Sequence, residues 1–382
     1  MNRTAMIDNV MPTGPRISGV RRKLKFDFNY LVTGICTMVV AAAITFSAAC
    51  PAAAAKQPKQ ALWVANGTDV VEFSKLPKGV HDQKPLVQLN SSVFGAPQGV
   101  VFDSSNDLWV IDGGTVATPP SLEEFTEAQL GNLKKEPTPT PTVQITSSDF
   151  VFPQQAVFDG SGNLWVSDSG ANAVFVITPA QLTAGGDISF TTTIESSPAF
   201  DGALGIALNG GNLYVANNAS TTIYEFNAGH LPALGSGVAT LVPDVVLSDD
   251  GMGSIQGPWA LIFDAAGDLW SSNANSPFTL VKFSASQITA TGDPTPAVTI
   301  SPDEVKVSKK VSDESLASPN GIAFDDLGDL VAISSASPFG VADYDPAEQA
   351  ANGAPKPTSL VVGNKTTLNA PAGANFGPEI KH

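Results

Sequence analysis

Arginine disappears from this sequence after Arg22, and both cysteines, Cys36 and Cys50, fall within the first 55 of its 382 residues. Histidine is scarce as well, with His81, His230 and His382 far apart along the chain. Each scarcity excludes something. Without thiols, residues 56–382 can form no disulfide, thiolate metal site or cysteine nucleophile. Without guanidinium forks, and with fourteen lysines scattered among thirty-four acids, they offer no basic stripe for nucleic acid or phosphorylated ligands. Three isolated histidines give little support to a Ser-His-Asp triad or a histidine metal cluster. The formal charge is −16 overall and −20 beyond residue 55, which favours cationic or neutral partners over anionic ones.

Residues 1–55 have a different character. Arg3, Arg16, Arg21, Arg22, Lys23 and Lys25 face only Asp8 and Asp27, and no charge occurs from Tyr30 to Ala55. A basic segment (1–30) before an apolar one (31–55) reads as an export signal: Leu31 to Phe46 is the hydrophobic stretch, and Ala52-Ala53-Ala54-Ala55 supplies small residues for cleavage. Two alternatives stay open. Leu31 to Ala55 exceeds the ~20 residues that cross a bilayer, and Ser47-Ala48-Ala49-Cys50 resembles a bacterial lipid-attachment motif with serine where leucine is usual. All three place the body outside the cytoplasm, periplasmic or extracellular, with membrane contact only through the leader.

Residues 56–382 repeat one phrase. Pro97-Gln98-Gly99-Val100-Val101-Phe102-Asp103 leads to Asp107-Leu108-Trp109-Val110, and Pro153 to Asp159 leads to Asn163-Leu164-Trp165-Val166. A degenerate copy runs from Ala203 to Val215; Pro258 to Asp264 precedes Asp268-Leu269-Trp270, and Pro319 to Asp325 precedes Asp329-Leu330. The leucines at 108, 164, 213, 269 and 330 set a period of 49 to 61 residues. Two short apolar runs joined by Asp-x-x-Gly-Asp/Asn are a strand, a tight turn and a strand. A third apolar phrase follows each pair, such as Val174-Phe175-Val176-Ile177. Then come a short polar turn such as Thr126-Glu127-Ala128-Gln129 and a last, proline-marked run suited to a sheet edge.

Four strands per repeat make a propeller blade. Five copies are complete, and the ends supply halves of a sixth. Ala61 to Asn66 and Val70 to Phe73 read as second and third strands with no first, and Pro371 to Phe376 reads as a first strand with no second. The expected fold is therefore an all-β, six-bladed propeller over 56–382, its ring closed by pairing of the terminal strands. Closure would remove an exposed sheet edge and bury Leu62 and Trp63.

The phrase Pro-x-Gly-Ile/Val-x-Phe-Asp followed by Gly-Asn-Leu-Trp/Tyr-Val-x-Asp/Asn resembles the NHL-repeat and senescence-marker-protein/gluconolactonase group of six-bladed propellers, across residues 61–376. The resemblance implies that the residue after each repeat's proline lies at the mouth of the central channel, where lactonases of the group hold a divalent cation with Glu, Asn and Asp. Here those positions are Gln98, Gln154, Leu204, Trp259, Asn320 and Ala372, and only Asn320 matches a lactonase ligand type.

Calcium prefers several oxygen ligands, usually including charged ones. Those would have to come from the ends of the second strands (Asn66, Asp112, Asp168, Asn217, Asn273, Ser334) or from Asp201, Asp249, Asp250 and Asp313 in the connections. The competing reading of these side chains is that they bond turn and loop amides. Trp63, Trp109, Trp165 and Trp270 share one repeat position and read as packing between blades, whereas Trp259 reads as a stacking surface, with Phe278 and Phe339 as a further apolar wall.

Two functions follow. One is an exported, non-catalytic, monomeric propeller binding a small molecule or protein through Gln98, Gln154, Trp259, Asn320, Asp112, Asp168 and Asn273. The other is a metal-dependent lactone or ester hydrolase of the gluconolactonase type, with Asn320, Asp112, Asp168 and Asp249 holding a divalent cation such as calcium.

Overall fold

Each Asp-x-x-Gly phrase forms its turn through one carboxylate. In the computed structural model, which describes residues 60–308, 311–314, 316–350 and 352–382, Asp159 Oδ1 accepts the amides of Ser161 (2.8 Å) and Asn163 (2.9 Å). Gly162 supplies the positive φ of 81°. Where glycine is missing, Asn106 takes φ 66°. Aspartates 103, 264 and 325 bind their own turn amides in the same way. The other carboxylate oxygen receives the indole N–H of the following strand, from Trp109, Trp165 and Trp270 at 3.4, 3.1 and 3.2 Å. The expectations for the leader lie outside the described residues.

The strands assemble into six small sheets, each with four antiparallel strands, arranged as a six-bladed propeller. From the channel outwards, blade one is Pro371–Pro378, Gln60–Asn66, Asp69–Phe73 and Val87–Leu89. Blade two is Pro97–Phe102, Leu108–Asp112, Ser121–Phe125 and Val143–Thr146; blade three is Pro153–Phe158, Leu164–Asp168, Ala173–Ile177 and Thr192–Ser196. Blade four is Ala203–Asn209, Asn212–Asn217, Thr222–Phe226 and Val245–Ser248; blade five is Pro258–Phe263, Leu269–Asn273, Leu280–Phe283 and Val298–Ile300. Blade six is Pro319–Phe324, Leu330–Ser334, Gly340–Tyr344 and Ser359–Val362. Blade one closes the ring as expected: Leu62 pairs with Phe376, Trp63 with Asn375 and Val64 with Ala374. Leu62 and Trp63 are fully buried, worth about 1.5–3 kcal/mol per side chain.

Three features depart from the sequence reading. In blades two, three and six the polar turn after the third strand is a short helix, over Glu127–Leu130, Pro179–Ala184 and Pro346–Gln349, each started by a capping box: Thr126 with Gln129, Thr178 with Gln181, and Asp345 with Glu348; in blade five Ser284 to Ile288 is a turn, as expected. The proline-marked outer strands are not bare edges either. A short segment of the next blade lies parallel to the edge, as Gly186–Asp187 on Ile145–Thr146, Gly237–Leu241 on Thr192–Ser196, and Gly79–His81 on Ser359–Val361. This covers backbone groups that would otherwise invite another chain. Finally, the longest spacing, between the leucines at 269 and 330, accommodates an extra hairpin, Glu304–Ser308 with Val311–Glu314.

The core is distributed between blades. Trp63, Trp109, Trp165 and Trp270 are all buried there, as their shared position suggests.

Candidate functional site: the channel mouth

A β-bulge opens every innermost strand. Pro97 opposes Asp112 but Gly99 already opposes Ile111, so Gln98 is the extra residue. The same shift falls at Gln154, Leu204, Trp259, Asn320 and Ala372. Bulges re-aim a side chain out of the pleat, so the residue after each proline is set apart from the regular ladder in all six blades. The next residues along line the central channel, a cavity of about 260 Å³ walled by Gly99, Gln155, Ile206, Leu261, Gly321 and Gly373 among others.

Blades one, two, four and six have glycine at that level, where the neighbouring strand approaches backbone to backbone, whereas blades three and five have Gln155 and Ala260. A β-carbon on Gly99 would stand 2.7 Å from the Gln154 carbonyl oxygen, and one on Gly205 would stand 2.4 Å from that of Trp259.

Of the channel-mouth residues, Gln98 and Trp259 stay half-buried, whereas Gln154 and Asn320 are buried. Gln98 Nε2 donates to the Ala96 carbonyl at 3.1 Å, and Gln154 Nε2 donates to Ser169 Oγ at 3.0 Å. Asn320 Oδ1 accepts from Ser318 Oγ at 3.5 Å.

The ends of the second strands hold the loop that leads into the same blade's innermost strand. Asp112 is fully buried and accepts the amides of Gly95 (2.6 Å), Ala96 (2.7 Å) and Gly114 (2.7 Å). Burial pushes its carboxyl above the ordinary range although these amides pull it down. Asp168 accepts four amides, from Val151, Phe152, Gly170 and Ala171, at 2.8 to 2.9 Å. Asn273 accepts from Gln256 N at 3.0 Å and donates to the Ser254 carbonyl and Thr279 Oγ1 at 3.2 and 2.9 Å.

Asn66 and Ser334 accept from Asn369 and Ala317 in the same sense. Asp249 accepts from Ser254 Oγ, Ile255 N, Gly251 N and Gln256 Nε2 at 3.1 to 3.2 Å. These oxygens are engaged by donors that a cation would have to displace.

Phe339 packs between blades six and one, against the cluster containing Leu62 and Val341. Phe278 is half-buried, with its amide on the Asn275 carbonyl at 2.8 Å. Two asparagines were not singled out by the repeat. Asn218 Nδ2 reaches the Pro258 carbonyl at 3.5 Å beside Trp259, and a β-carbon on Gly257 would meet both Asn218 and Asn275. The signal was there in the phrase Asn217-Asn218, one residue past the strand end. Exposed apolar side chains mark the surrounding connections: Val116 after the second strand of blade two, and Val151 and Met252 before the innermost strands of blades three and five.

At the opposite end of blade two, Asp103, Asp107 and Glu124 bring one carboxylate oxygen each within 4.8 Å of one another. Asp103 and Asp107 flank the turn of blade two, and Glu124 lies on its third strand. Only the fold joins them.

No family model and no curated protein matches the chain. Solved structures do. A protein of unknown function from Bacteroides caccae superposes with a TM-score of 0.53 at 12% identity, covering 84% of this chain and 100% of that one. A provisionally named 6-phosphogluconolactonase from Bacteroides fragilis gives 0.50 at 11% identity, covering 84% and 98%. At such identities the likeness is one of fold.

Proposed function

We propose that this chain is an exported binding propeller, of the NHL-repeat and gluconolactonase-like group by its repeat phrase, that takes a neutral or cationic small molecule or a protein segment on its channel-mouth face. The observation that carries this reading is a division of labour at the mouth. Asp112, Asp168, Asn273 and Asp249 spend their polar atoms on loop amides and neighbouring side chains. Gln98 and Trp259, lifted out of the ladder by bulges, remain accessible.

A ring face and an amide suit stacking plus hydrogen bonding. The exposed Val116, Val151 and Met252 add apolar contact around them. The acidic body disfavours anionic ligands. Gln154 and Asn320 are buried, hydrogen-bonded to Ser169 and Ser318 of their own blades.

The test is a thermal-shift screen of neutral and cationic small molecules and peptides with the full chain, followed by titration against Trp259→Ala and Gln98→Ala. Saturable binding weakened at least tenfold by Trp259→Ala supports the reading. Turnover of lactones or esters that requires calcium and is lost in Asn320→Ala replaces it with the hydrolase.

A further inference from the structure

Blades five and six place different residues at the same three points. In blade five, Lys282 stands opposite Trp270 across the second and third strands. Its ammonium lies 3.3 Å from Asp268 Oδ2 and 5.6 Å from the centre of the Trp270 ring. In blade six, Asp343 stands opposite Val331, and Asp329 holds the turn position that Asp268 holds in blade five. The internal ammonium and the ring beneath it are both replaced. A cavity of about 580 Å³ opens there, between blades six and one and at the end of the propeller away from the channel mouth. Phe73, Val331 and Phe376 form its apolar wall, and Asp325, Asp329 and Asp343 its acidic one.

Asp343 is 7% exposed, and its Oδ1 has no hydrogen-bond partner. Strand alternation puts it on the face of Val331 and Val341, which packs against Leu62 and Phe73 of blade one, so its side chain faces the cavity. Burial, then the charge of Asp329, push its carboxyl up to about 7 against a hydrogen bond from Ser359 that pulls it down, with Asp325 and Glu348 adding to the rise; Asp329 is raised by burial and by Asp325, Asp345 and Glu348. The lysines nearby do not replace the missing cation: Lys75 is exposed on the rim, and Lys78 acts on Asp329 only as the smallest of its influences.

Ser359, across the strand pair, hydrogen-bonds the carboxyl but brings no charge, so a buried carboxylate with one oxygen left over is costly unless a cation joins it. A metal ion fits poorly, because Asp325 Oδ1 is committed to the amides of Leu327 and Asp329. Moreover, among the described residues three carboxylate oxygens converge within 4.8 Å only in blade two. An apolar wall facing an acidic one suits an organic cation, and blade five shows an alkyl ammonium seated at the same repeat position.

We infer that the cavity of blade six binds an aliphatic ammonium ligand from outside the chain, its charged end between Asp343 and Asp329 and its methylenes against Phe73, Val331 and Phe376. The ligand does there what the Lys282 side chain does within blade five.

The probe is 1,5-diaminopentane, titrated calorimetrically into the full chain at pH 8, with 1-pentanol and calcium chloride as comparisons. The expected result is saturable binding of the diamine, at least tenfold weaker in Asp343→Asn and unchanged in Trp259→Ala. The double variant Val331→Trp with Asp343→Lys, which copies blade five into blade six, is expected to lose diamine binding while keeping the thermal transition at or above that of the parent. No saturable binding, equal affinity for pentanol, a diamine affinity indifferent to Asp343→Asn, or calcium binding that Asp343→Asn abolishes would each overturn the inference. Because Asp343→Asn and the double variant leave the channel mouth untouched while Trp259→Ala leaves the cavity untouched, failure here and failure of the mouth site are read separately.

Discussion

A β-carbon on Gly373, in the last strand of the chain, would stand 2.5 Å from the carbonyl oxygen of Gln98 in the adjoining blade. The obstacle is backbone and cannot rotate away. Gly373→Ala should therefore cost about 1–3 kcal/mol, the usual range for overpacking, and widen the ring where the mouth is built. Urea unfolding checks this. Gly160→Ala, whose β-carbon meets nothing within 4 Å, serves as the control and should change little.

The four repeat tryptophans are not equivalent. Trp165 donates its indole N–H to Asp159 at 3.1 Å, whereas Trp63 Nε1 is buried without an acceptor. The reason is at the seam: Gly377 occupies the turn-aspartate position of blade one, and a β-carbon there would lie 2.3 Å from the Phe102 ring, which itself packs edge-on against Trp63 at 6.1 Å. Replacement by phenylalanine should cost about 1 kcal/mol more at 165 than at 63, since only the first loses a hydrogen bond. Paired chemical denaturation curves would show it, and equal costs would contradict the assigned bonding.

Glu123 is fully buried, hydrogen-bonded to Ser121, and pushed up to about 8, first by burial and then by Asp112. Glu72 is likewise raised to about 8 by burial. Between the ordinary carboxylate range and pH 8 the folded chain thus retains protons that the unfolded chain has released. Stability falls as pH rises through that window and levels off above it, with a limiting slope of about 1.4 kcal/mol per pH unit per group. His382, 2.5 Å from Glu72 and lowered by burial, acts with the opposite sign as pH falls below its unfolded value. Glu123→Gln, which has no proton to lose, should flatten the decline in melting temperature from pH 5 to 9. An unchanged profile would mean that Glu123 titrates normally.

Asp168 anchors both loops at one mouth position through four amides. Asp168→Ala strands those donors and should cost several times the ~1 kcal/mol of a single hydrogen bond. The loss should be the same in calcium and in a chelator if the residue works as a loop anchor. A loss confined to calcium buffer would assign it to a metal site instead.

The blades, their number and the closing seam were legible because each rests on local chemistry repeated in register: an aspartate that binds turn amides, a glycine with positive φ, and alternating apolar strands. The short helices were only partly legible: Thr126-x-x-Gln129 and Thr178-x-x-Gln181 carry the capping-box spacing, but so does Ser284-x-x-Gln287, which stays a turn. The accessibility of the mouth residues was not. Gln98 and Gln154 occupy one repeat position, yet the first stays half-exposed and the second is buried beneath Ser169, because exposure depends on the loops of neighbouring blades.

The sequence by itself determined the circular all-β architecture, since turn, strand and repeat spacing act over a few residues and recur. Only tertiary structure decided which polar groups are spent and which are left over. Asp112 and Asp168 look like free carboxylates in the chain and are saturated by amides once the loops fold over them. Asp343 looks like one more strand residue, and only the fold shows that it faces a cavity, with Val331 opposite it where the other blades hold an aromatic ring. Such differences arise between blades, where side chains distant in sequence compete for one volume and one set of donors.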